Sequence, residues 1–142
     1  VAVKFITNSI NEVHQLAALD SPLQFFLAGG LYGYASMLGE FGMMMSVLHV
    51  SYKTANQLFE AGTNKDFATC LKITDEFYKG LKALWKNCPP GSGKMDGAWD
   101  KIFVKFGMPE FPQRLHPPYI GFTDTQVAAF QVEIKQILPD WF

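Results

Sequence analysis

VAVKFI (residues 1–6) opens the chain and decides how the rest is interpreted, because this apolar run predicts a β-strand. QFFLA (24–28) predicts a second strand, and MMMSVL (43–48) predicts a third. The segments between them, at residues 10–19 and 32–38, are predicted to be helices. Strands that alternate with helices in this way predict an α/β fold with a parallel sheet and right-handed crossovers.

The remainder of the chain, after residue 50, carries helical patterns only. Ser9 with Glu12 and Thr123 with Gln126 have the spacing of capping boxes, which predicts that helices begin there. Gly62 predicts the end of a helix, since glycine is common just after one. Helices are predicted at residues 52–61, 66–87, 95–106 and 123–138, with a turn at 89–93 and a proline-rich ordered loop at 108–122.

Composition and charge limit the classes of function. With 142 residues, 49% of them hydrophobic, the chain is long enough for one domain with a core. The net charge is −1 and the basic residues are scattered, so no basic patch for nucleic acid is predicted. The uncharged runs on either side of Glu40 are shorter than the roughly 20 residues of a membrane span. Cys70 and Cys88 form no CxxC motif, which argues against a disulfide framework or a zinc site and favours a reducing compartment, the cytoplasm.

Three segments together resemble a known enzyme family. VAVKFIT, FFLAGG and GEFGMMMSV resemble, in this order, strands six, seven and eight of the pyruvate-dependent class I aldolase superfamily, which includes N-acetylneuraminate lyase and dihydrodipicolinate synthase. The sixth strand of that family carries a G-[IV]-K pattern, to which Ala2-Val3-Lys4 corresponds. The tail RLHPPYIGFTDTQ (114–126) is also similar to that of the family. The glycine-rich pattern of the eighth strand is matched by Gly39, Gly42, Met44 and Ser46.

The fold implied by this resemblance is the C-terminal part of a (β/α)8 TIM barrel, made of strands six to eight and the terminal helices. Residues 1–50 are expected to hold the last three strands with their connecting helices. Residues 51–142 are expected to hold the last barrel helix and a C-terminal helical extension. Because a whole barrel needs eight strands and about 250 residues, we predict that an N-terminal half, on the same or a separate chain, completes it. The family's hydroxyl pair after strand two and its tyrosine near strand five would lie in that half.

The chemistry that the resemblance implies centres on Lys4, which matches the lysine that forms a Schiff base with pyruvate or a related 2-oxo acid. An amine attacks a carbonyl only when it is neutral, and a free lysine has a pKa of about 10.4. Removal of water from around a lysine favours the neutral form. Once formed, the iminium withdraws electrons, so that a C3–H or C3–C4 bond of the substrate breaks. Strand alternation predicts that Ala2 and Ile6 share the face of Lys4.

Four more residues are candidates for substrate binding. Ser46, at the end of the third strand, is expected to hydrogen-bond either the substrate or nearby backbone, and Met44 is expected to form a pocket wall. Gly29 and Gly30 either let a substrate carboxylate approach backbone N–H groups or form a plain turn. The family usually has a carboxylate soon after the glycine that ends strand seven, whereas Gly29-Gly30-Leu31 stands here. This departure predicts either a less polar acceptor or an acceptor that is recognised elsewhere in the protein.

Three readings of the function therefore stay open. The first is a lyase (an aldolase, hydratase-aldolase or dehydratase) that acts on a small 2-oxo acid through Lys4 and, like the family, forms a homo-oligomer. The second is a noncatalytic relative whose chain only completes or assembles a barrel, and a self-contained three-stranded interaction module is a third reading. The histidines have no metal-ligand spacing, and neither a metal nor a cofactor is predicted. No nucleic-acid or membrane partner is expected.

Overall fold

A small parallel sheet organises the first part of the chain. The structure, a computed structural model, describes residues 1–91 and 93–142. Strands β1 (Ala2–Lys4), β2 (Gln24–Ala28) and β3 (Gly42–Met44) form the sheet in the order β1-β2-β3, and both pairs are parallel. The predicted α/β fold with a parallel sheet is thereby confirmed. The predicted turn at 89–93 includes Ser92 and so lies partly outside the described residues.

Helices make up most of the described chain. Two of them connect successive parallel strands, as crossover helices do. None of the described helices combines the length and apolarity that crossing a membrane requires. The helices are α1 (Ile10–Ala17), α2 (Gly29–Ala35), α3 (Tyr52–Thr63), α4 (Phe67–Asn87), α5 (Asp96–Val104) and α6 (Asp124–Ile137), with 3-10 helices at Ser46–Val50 and Pro139–Trp141.

The chain divides into two compact units. The first contains Val1–Leu48 and Tyr52–Tyr78, and therefore the whole sheet. The second contains His49–Ser51 and Lys79–Phe142, and therefore α5 and α6.

The core of the first unit is formed by apolar residues of the sheet and its helices. Val13 of α1, Leu27 of β2 and Leu58 of α3 are fully buried. Helix α2 approaches α4 closely at Gly33, where an added Cβ would overlap the side-chain hydroxyl of Thr74. Close packing of this kind is possible because glycine has no side chain.

The core of the second unit is built around α5 and α6. Ile102 and Phe130 are fully buried. A polar cluster joins α6 to the end of α4, where Glu133 accepts hydrogen bonds from Lys86 Nζ (2.9 Å) and Asn87 Nδ2 (2.8 Å). These bonds set the position of α6 within the unit.

The two predicted helix starts differ in how completely their caps form. The Thr123 hydroxyl accepts from the backbone N–H of Gln126 (3.2 Å), and the Gln126 side chain accepts from the N–H of Thr123 (3.0 Å). This capping box is confirmed. At α1, Ser9 accepts from the N–H of Glu12 (3.3 Å), but the Glu12 carboxylate accepts from the Thr7 hydroxyl instead of returning to Ser9. The first box is therefore only half formed.

The predicted third strand is too long. It was expected to reach Leu48, but β3 ends at Met44 and a 3-10 helix follows from Ser46. The reason is the backbone of Ser46, whose φ of 48° is incompatible with an extended strand.

Two glycines also have roles other than those predicted. Helix α2 begins at Gly29 instead of residue 32, so that the glycine pair lies inside the helix. Helix α3 continues through Gly62, which was predicted to end it. An added Cβ at Gly62 would lie 2.6 Å from the Tyr32 hydroxyl oxygen, so this glycine provides space for a neighbouring ring.

Candidate active site

Lys4 is the last residue of β1, and its side chain is exposed. The backbone N–H of the next residue, Phe5, donates to the carbonyl oxygen of Phe26 (2.9 Å), which holds the chain after Lys4 against β2. In α/β folds with parallel strands, ligands bind at the carboxyl ends of the strands. The backbone that bears the Lys4 side chain is thus held in place at the carboxyl-end edge of the sheet, where ligands bind in such folds.

The two faces of β1 differ in burial, as side-chain alternation along a strand requires. Ala2, Lys4 and Ile6 are exposed, whereas Val3 and Phe5 are half-buried. The prediction that Ala2 shares the face of Lys4 is therefore confirmed, whereas Ile6 lies beyond the end of β1 and its place on that face stays a prediction.

An aromatic ring lies next to Lys4 on the same face of the sheet. The strand register pairs Lys4 with Phe26 and Phe26 with Gly42. A Cβ added at Gly42 would lie 2.7 Å from Cγ of the Phe26 ring and closer still to two other ring atoms. Glycine at this position of β3 therefore lets the ring extend over the neighbouring strand.

The same face continues to the carboxyl end of β3. Ala28 pairs with Met44, which is half-buried. Because β2 lies between β1 and β3, Lys4 and Met44 are two strand spacings apart, about 10 Å in the hydrogen-bonding direction. We call this surface the Lys4 face, and define it by Lys4, Phe26, Ala28, Gly42 and Met44.

Ser46 follows β3 directly and has an unusual backbone conformation. Its φ is 48°, in the left-handed region that few non-glycine residues adopt, and its side chain is half-buried. Residues held in such conformations cluster at functional sites, where the surrounding structure compensates the strain. This observation favours a functional role, and substrate binding by Ser46 stays a prediction.

The glycine pair after β2 is enclosed by packing. An added Cβ at Gly29 would lie 3.2 Å from the Leu48 side chain and 3.3 Å from the carbonyl oxygen of Met44. A Cβ at Gly30 would lie 2.8 Å from Cδ1 of the Phe77 ring and closer to Cε1. Close packing therefore explains why both positions are glycine. The structure brings Gly29 together with Met44, and substrate binding by the pair stays a prediction.

A cavity beside β3 was not foreseen from the sequence. It has a volume of about 560 Å³ and is lined by residues that include Phe26, Gly42, Met43 and Phe59. The Tyr32 hydroxyl lies at its wall and donates to the carbonyl oxygen of Phe59 (3.1 Å). Burial raises the pKa of Tyr32, which keeps this hydroxyl protonated as a donor. The only local signal for the cavity was glycine within a strand pattern, which often marks a close approach.

The described residues, 1–91 and 93–142, contain no group of three or more His, Cys, Asp or Glu side chains that would hold a metal ion.

Comparisons with known proteins give matches among solved structures only. No protein-family model and no curated protein matches the chain. N-acetylneuraminate lyase from Fusobacterium nucleatum matches with a TM-score of 0.70 and 16% identity, over 94% of this chain and 43% of that chain. CdNal from Clostridium difficile, solved in complex with mannosamine, gives a TM-score of 0.68 and 16% identity, over 98% and 44%. A dihydrodipicolinate synthase family protein from Coccidioides immitis gives 0.62 and 17%, over 99% and 45%.

These matches decide the architecture. The chain has the fold of the C-terminal part of TIM-barrel lyases. The predicted resemblance to the N-acetylneuraminate lyase and dihydrodipicolinate synthase group is thus confirmed at the level of the fold. The chain spans less than half the length of each of these three structures.

Proposed function

We propose that this chain is the lysine-bearing part of a Schiff-base-forming lyase that acts on pyruvate or a related 2-oxo acid. One observation carries the proposal: Lys4 lies at the carboxyl end of β1, on an open sheet face, in a chain with the fold of the C-terminal part of N-acetylneuraminate lyase. An exposed lysine on a solvated strand needs no explanation by itself. The combination of lysine, strand end and fold is what favours catalysis.

The proposed reaction begins with attack of the neutral Lys4 amine on the keto carbon. A carbinolamine forms, and loss of water gives an iminium that links Nζ to C2 of the substrate. The electron pair of a C3–H or C3–C4 bond then moves toward the iminium nitrogen and leaves an enamine. The C3 proton goes to a base; in C3–C4 cleavage the C4 hydroxyl gives up its proton instead, so that the fragment departs as a carbonyl compound. The enamine then takes up a proton, or attacks a new carbonyl, at C3 and becomes an iminium again, and water hydrolyses this iminium to free the keto acid and the lysine. Aldolase, hydratase-aldolase and dehydratase activities all share these steps.

Completion of the barrel by an N-terminal half is part of the proposal. Lys4 is exposed in this chain, whereas the proposed chemistry needs an amine from which water has been removed. The open Lys4 face and the cavity beside the β3 edge are surfaces that further strands of a barrel would cover. We accordingly propose that β1, β2 and β3 are strands six to eight. Residues 1–50 then belong to the barrel wall, and 51–142 to the last barrel helix and the extension.

The remaining predicted site residues are assigned by position. Ser46 is proposed to hydrogen-bond the substrate from the end of β3, which its unusual backbone conformation supports. Met44 is proposed as pocket wall, since it shares the Lys4 face. Backbone N–H groups at Gly29 and Gly30 are proposed to lie near the substrate carboxylate. Met44 and Phe26 make this face apolar, in keeping with a less polar acceptor.

A cytoplasmic location and a homo-oligomeric state complete the proposal. Cys70 and Cys88 are both free and buried, which suits a reducing compartment. The homo-oligomer rests on resemblance to the family.

Borohydride trapping tests the proposed chemistry. The protein, isolated with whatever chain completes it, is incubated with pyruvate and sodium borohydride, and its intact mass and peptide map are measured. We expect reduction of the iminium to leave a pyruvate-sized adduct on Lys4. Lys4→Arg should abolish the adduct. Lys53→Arg is the matched control, because Lys53 is also exposed but lies on α3, away from the Lys4 face.

The outcomes separate the two classes of function. An adduct on Lys4 that survives Lys53→Arg supports the lyase. No adduct from a protein shown by its mass to be completed overturns the catalytic proposal and leaves the noncatalytic relative. A stable, monomeric chain that binds no second half would favour the self-contained module.

A further inference from the structure

Phe26 of β2 is the partner of Lys4 in the register of the two strands. Paired residues of neighbouring parallel strands point to the same face, and their backbones lie about 4.8 Å apart. Phe26 is only half-buried, so part of its side chain is open on the face that carries the Lys4 amine. A substrate bound to Lys4 would therefore meet this side chain.

The Phe26 ring leans toward β3 and not toward Lys4. It occupies the space above Gly42, since a Cβ added there would lie 2.5 Å from Cε1 of the ring and 2.7 Å from Cγ. Lys4 lies in β1, on the other side of β2, and is exposed. The ring therefore leaves the amine uncovered and forms a wall beside it.

This wall is backed on the β3 side and open toward the carboxyl end of β2. Gly42 is buried, and its strand backbone supports the ring from that side. The next residue of β2 on the same face is Ala28, about 6.6 Å further along the strand, and its methyl group leaves room above the ring. Met44, which pairs with Ala28, has a flexible side chain that adapts to its surroundings. Phe26 is thus the rigid boundary of this space.

The chemistry of the ring decides which part of a 2-oxo acid faces it. In the iminium proposed above, the carbon bound to Nζ of Lys4 also carries the carboxylate and C3. The face of an aromatic ring is apolar and electron-rich, so a carboxylate placed against it loses water and gains no hydrogen bond. C3, which is a methyl group in pyruvate, is stabilised by the same contact. The carboxylate therefore turns away from Phe26, and C3 turns toward it.

We propose that Phe26 determines substrate specificity by limiting the size of the group at C3 of the keto acid. The backbone at Gly42 stops the ring from moving further toward β3, so a C3 group larger than methyl overlaps the ring. The site accordingly accepts 2-oxo acids of the size of pyruvate and discriminates against longer and branched ones. This inference rests on the proposed Schiff base at Lys4 and names the residue that selects its substrate.

Competition between two keto acids tests this role. The protein, isolated with whatever chain completes it, is incubated with equal amounts of pyruvate and 2-oxobutanoate, which has one more carbon at C3, and sodium borohydride is added. Mass spectrometry of the Lys4 peptide gives the ratio of the two adducts. One methylene changes discrimination by about 10-fold to 200-fold, so we expect wild type to prefer pyruvate by about tenfold or more. Phe26→Leu should lower this preference by about tenfold, and Phe26→Ala should lower it further.

Phe25→Leu is the matched control for these variants. Phe25 is the adjacent residue of β2 and is also half-buried, but it points to the opposite face of the sheet. This control should leave the ratio of adducts as it is in wild type. Because both acids compete for the same molecules, a variant that folds in poor yield lowers both adducts equally and leaves their ratio unchanged.

The outcomes separate this inference from the proposed function. A lower preference for pyruvate in Phe26→Leu, with no change in Phe25→Leu, supports the inference. If pyruvate is trapped on Lys4 but Phe26→Leu leaves the preference unchanged, the inference is overturned and the lyase stands. Wild-type protein that traps 2-oxobutanoate as readily as pyruvate has the same meaning, even if both variants at Phe26 fail to fold. No adduct from either acid overturns both proposals.

Discussion

Replacement of Gly30 by alanine tests the packing that encloses the start of α2. The new Cβ would lie 2.8 Å from Cδ1 of Phe77 and closer to Cε1, well inside van der Waals contact. Phe77 is 4% exposed, so its ring is enclosed by protein and cannot swing into solvent to relieve the overlap. Overpacking of a filled core costs about 1–3 kcal/mol, whereas alanine gains up to about 1 kcal/mol over glycine in a helix. We expect Gly30→Ala to lower the free energy of unfolding by about 1–2 kcal/mol.

Gly97→Ala is the matched control for this change. Gly97 is the second residue of α5, as Gly30 is of α2, and its added Cβ would meet only Leu115 Cδ2, at 3.9 Å. The control should therefore show the helix gain without the clash, and be as stable as wild type or slightly more so. Urea denaturation followed by circular dichroism measures the free energy of unfolding of both variants. Their m-values should equal that of wild type, because only then can the free energies be compared directly.

A second substitution identifies the source of the cost. If the Phe77 ring is responsible, Gly30→Ala should cost less in a Phe77→Leu background, with a coupling energy of about 0.5–3 kcal/mol. The reasoning is refuted if Gly30→Ala is as stable as Gly97→Ala, or if the two changes at 30 and 77 are additive.

Three further results are expected. Thr74→Val should raise the free energy of unfolding by about 1 kcal/mol in urea denaturation, because its buried hydroxyl finds no hydrogen-bond partner among the described residues; a decrease contradicts this. Hydrogen bonds from Asn87 and, to a lesser extent, Lys86 hold the pKa of the Glu133 carboxyl below its usual value in the folded protein. The ionised carboxylate therefore stabilises the fold above the pKa that Glu133 has in the unfolded chain, and this contribution is lost as the pH falls through its lower pKa in the folded protein. Asn87→Ala should therefore make the free energy of unfolding fall less between about pH 5 and pH 3 than it does in wild type. An unchanged pH dependence over this range would contradict the role given to the Asn87 hydrogen bond. Burial raises the pKa of the Cys88 thiol to about 11. Iodoacetamide at pH 9 should therefore label Cys88 in the unfolded protein but not in the folded protein. Rapid labelling of Cys88 in both states would show that this thiol is not buried.

The sequence predicts the sheet wherever the signal is local. The run QFFLA is short and mainly apolar, and β2 occupies those five residues. The third strand shows the limit, because Val47 and Leu48 continue the apolar run but are buried in a 3-10 helix. What ends the strand is the backbone angle at Ser46, and hydrophobic periodicity carries no information about it.

For the candidate site, too, one part follows from the local sequence and another part depends on how distant segments pair. The side-chain alternation of β1 identifies the face of Lys4 from the sequence alone. The neighbour that Lys4 acquires there, Phe26, depends on strand register, and the reach of its ring depends on Gly42 of a third segment.

The alternation along β1 has a consequence for how this protein can evolve. Val3 and Phe5 are tied to packing, so their replacement is limited by stability. Ala2 and Ile6 lie two residues to either side of Lys4 and are exposed in this chain, so mutations there change the surroundings of the amine with little effect on the core of the first unit. Under the proposed function, substrate preference could accordingly change at these two positions without prior stabilising mutations. A library randomised at Ala2 and Ile6 should stay largely folded, which makes this strand a suitable starting point for directed evolution.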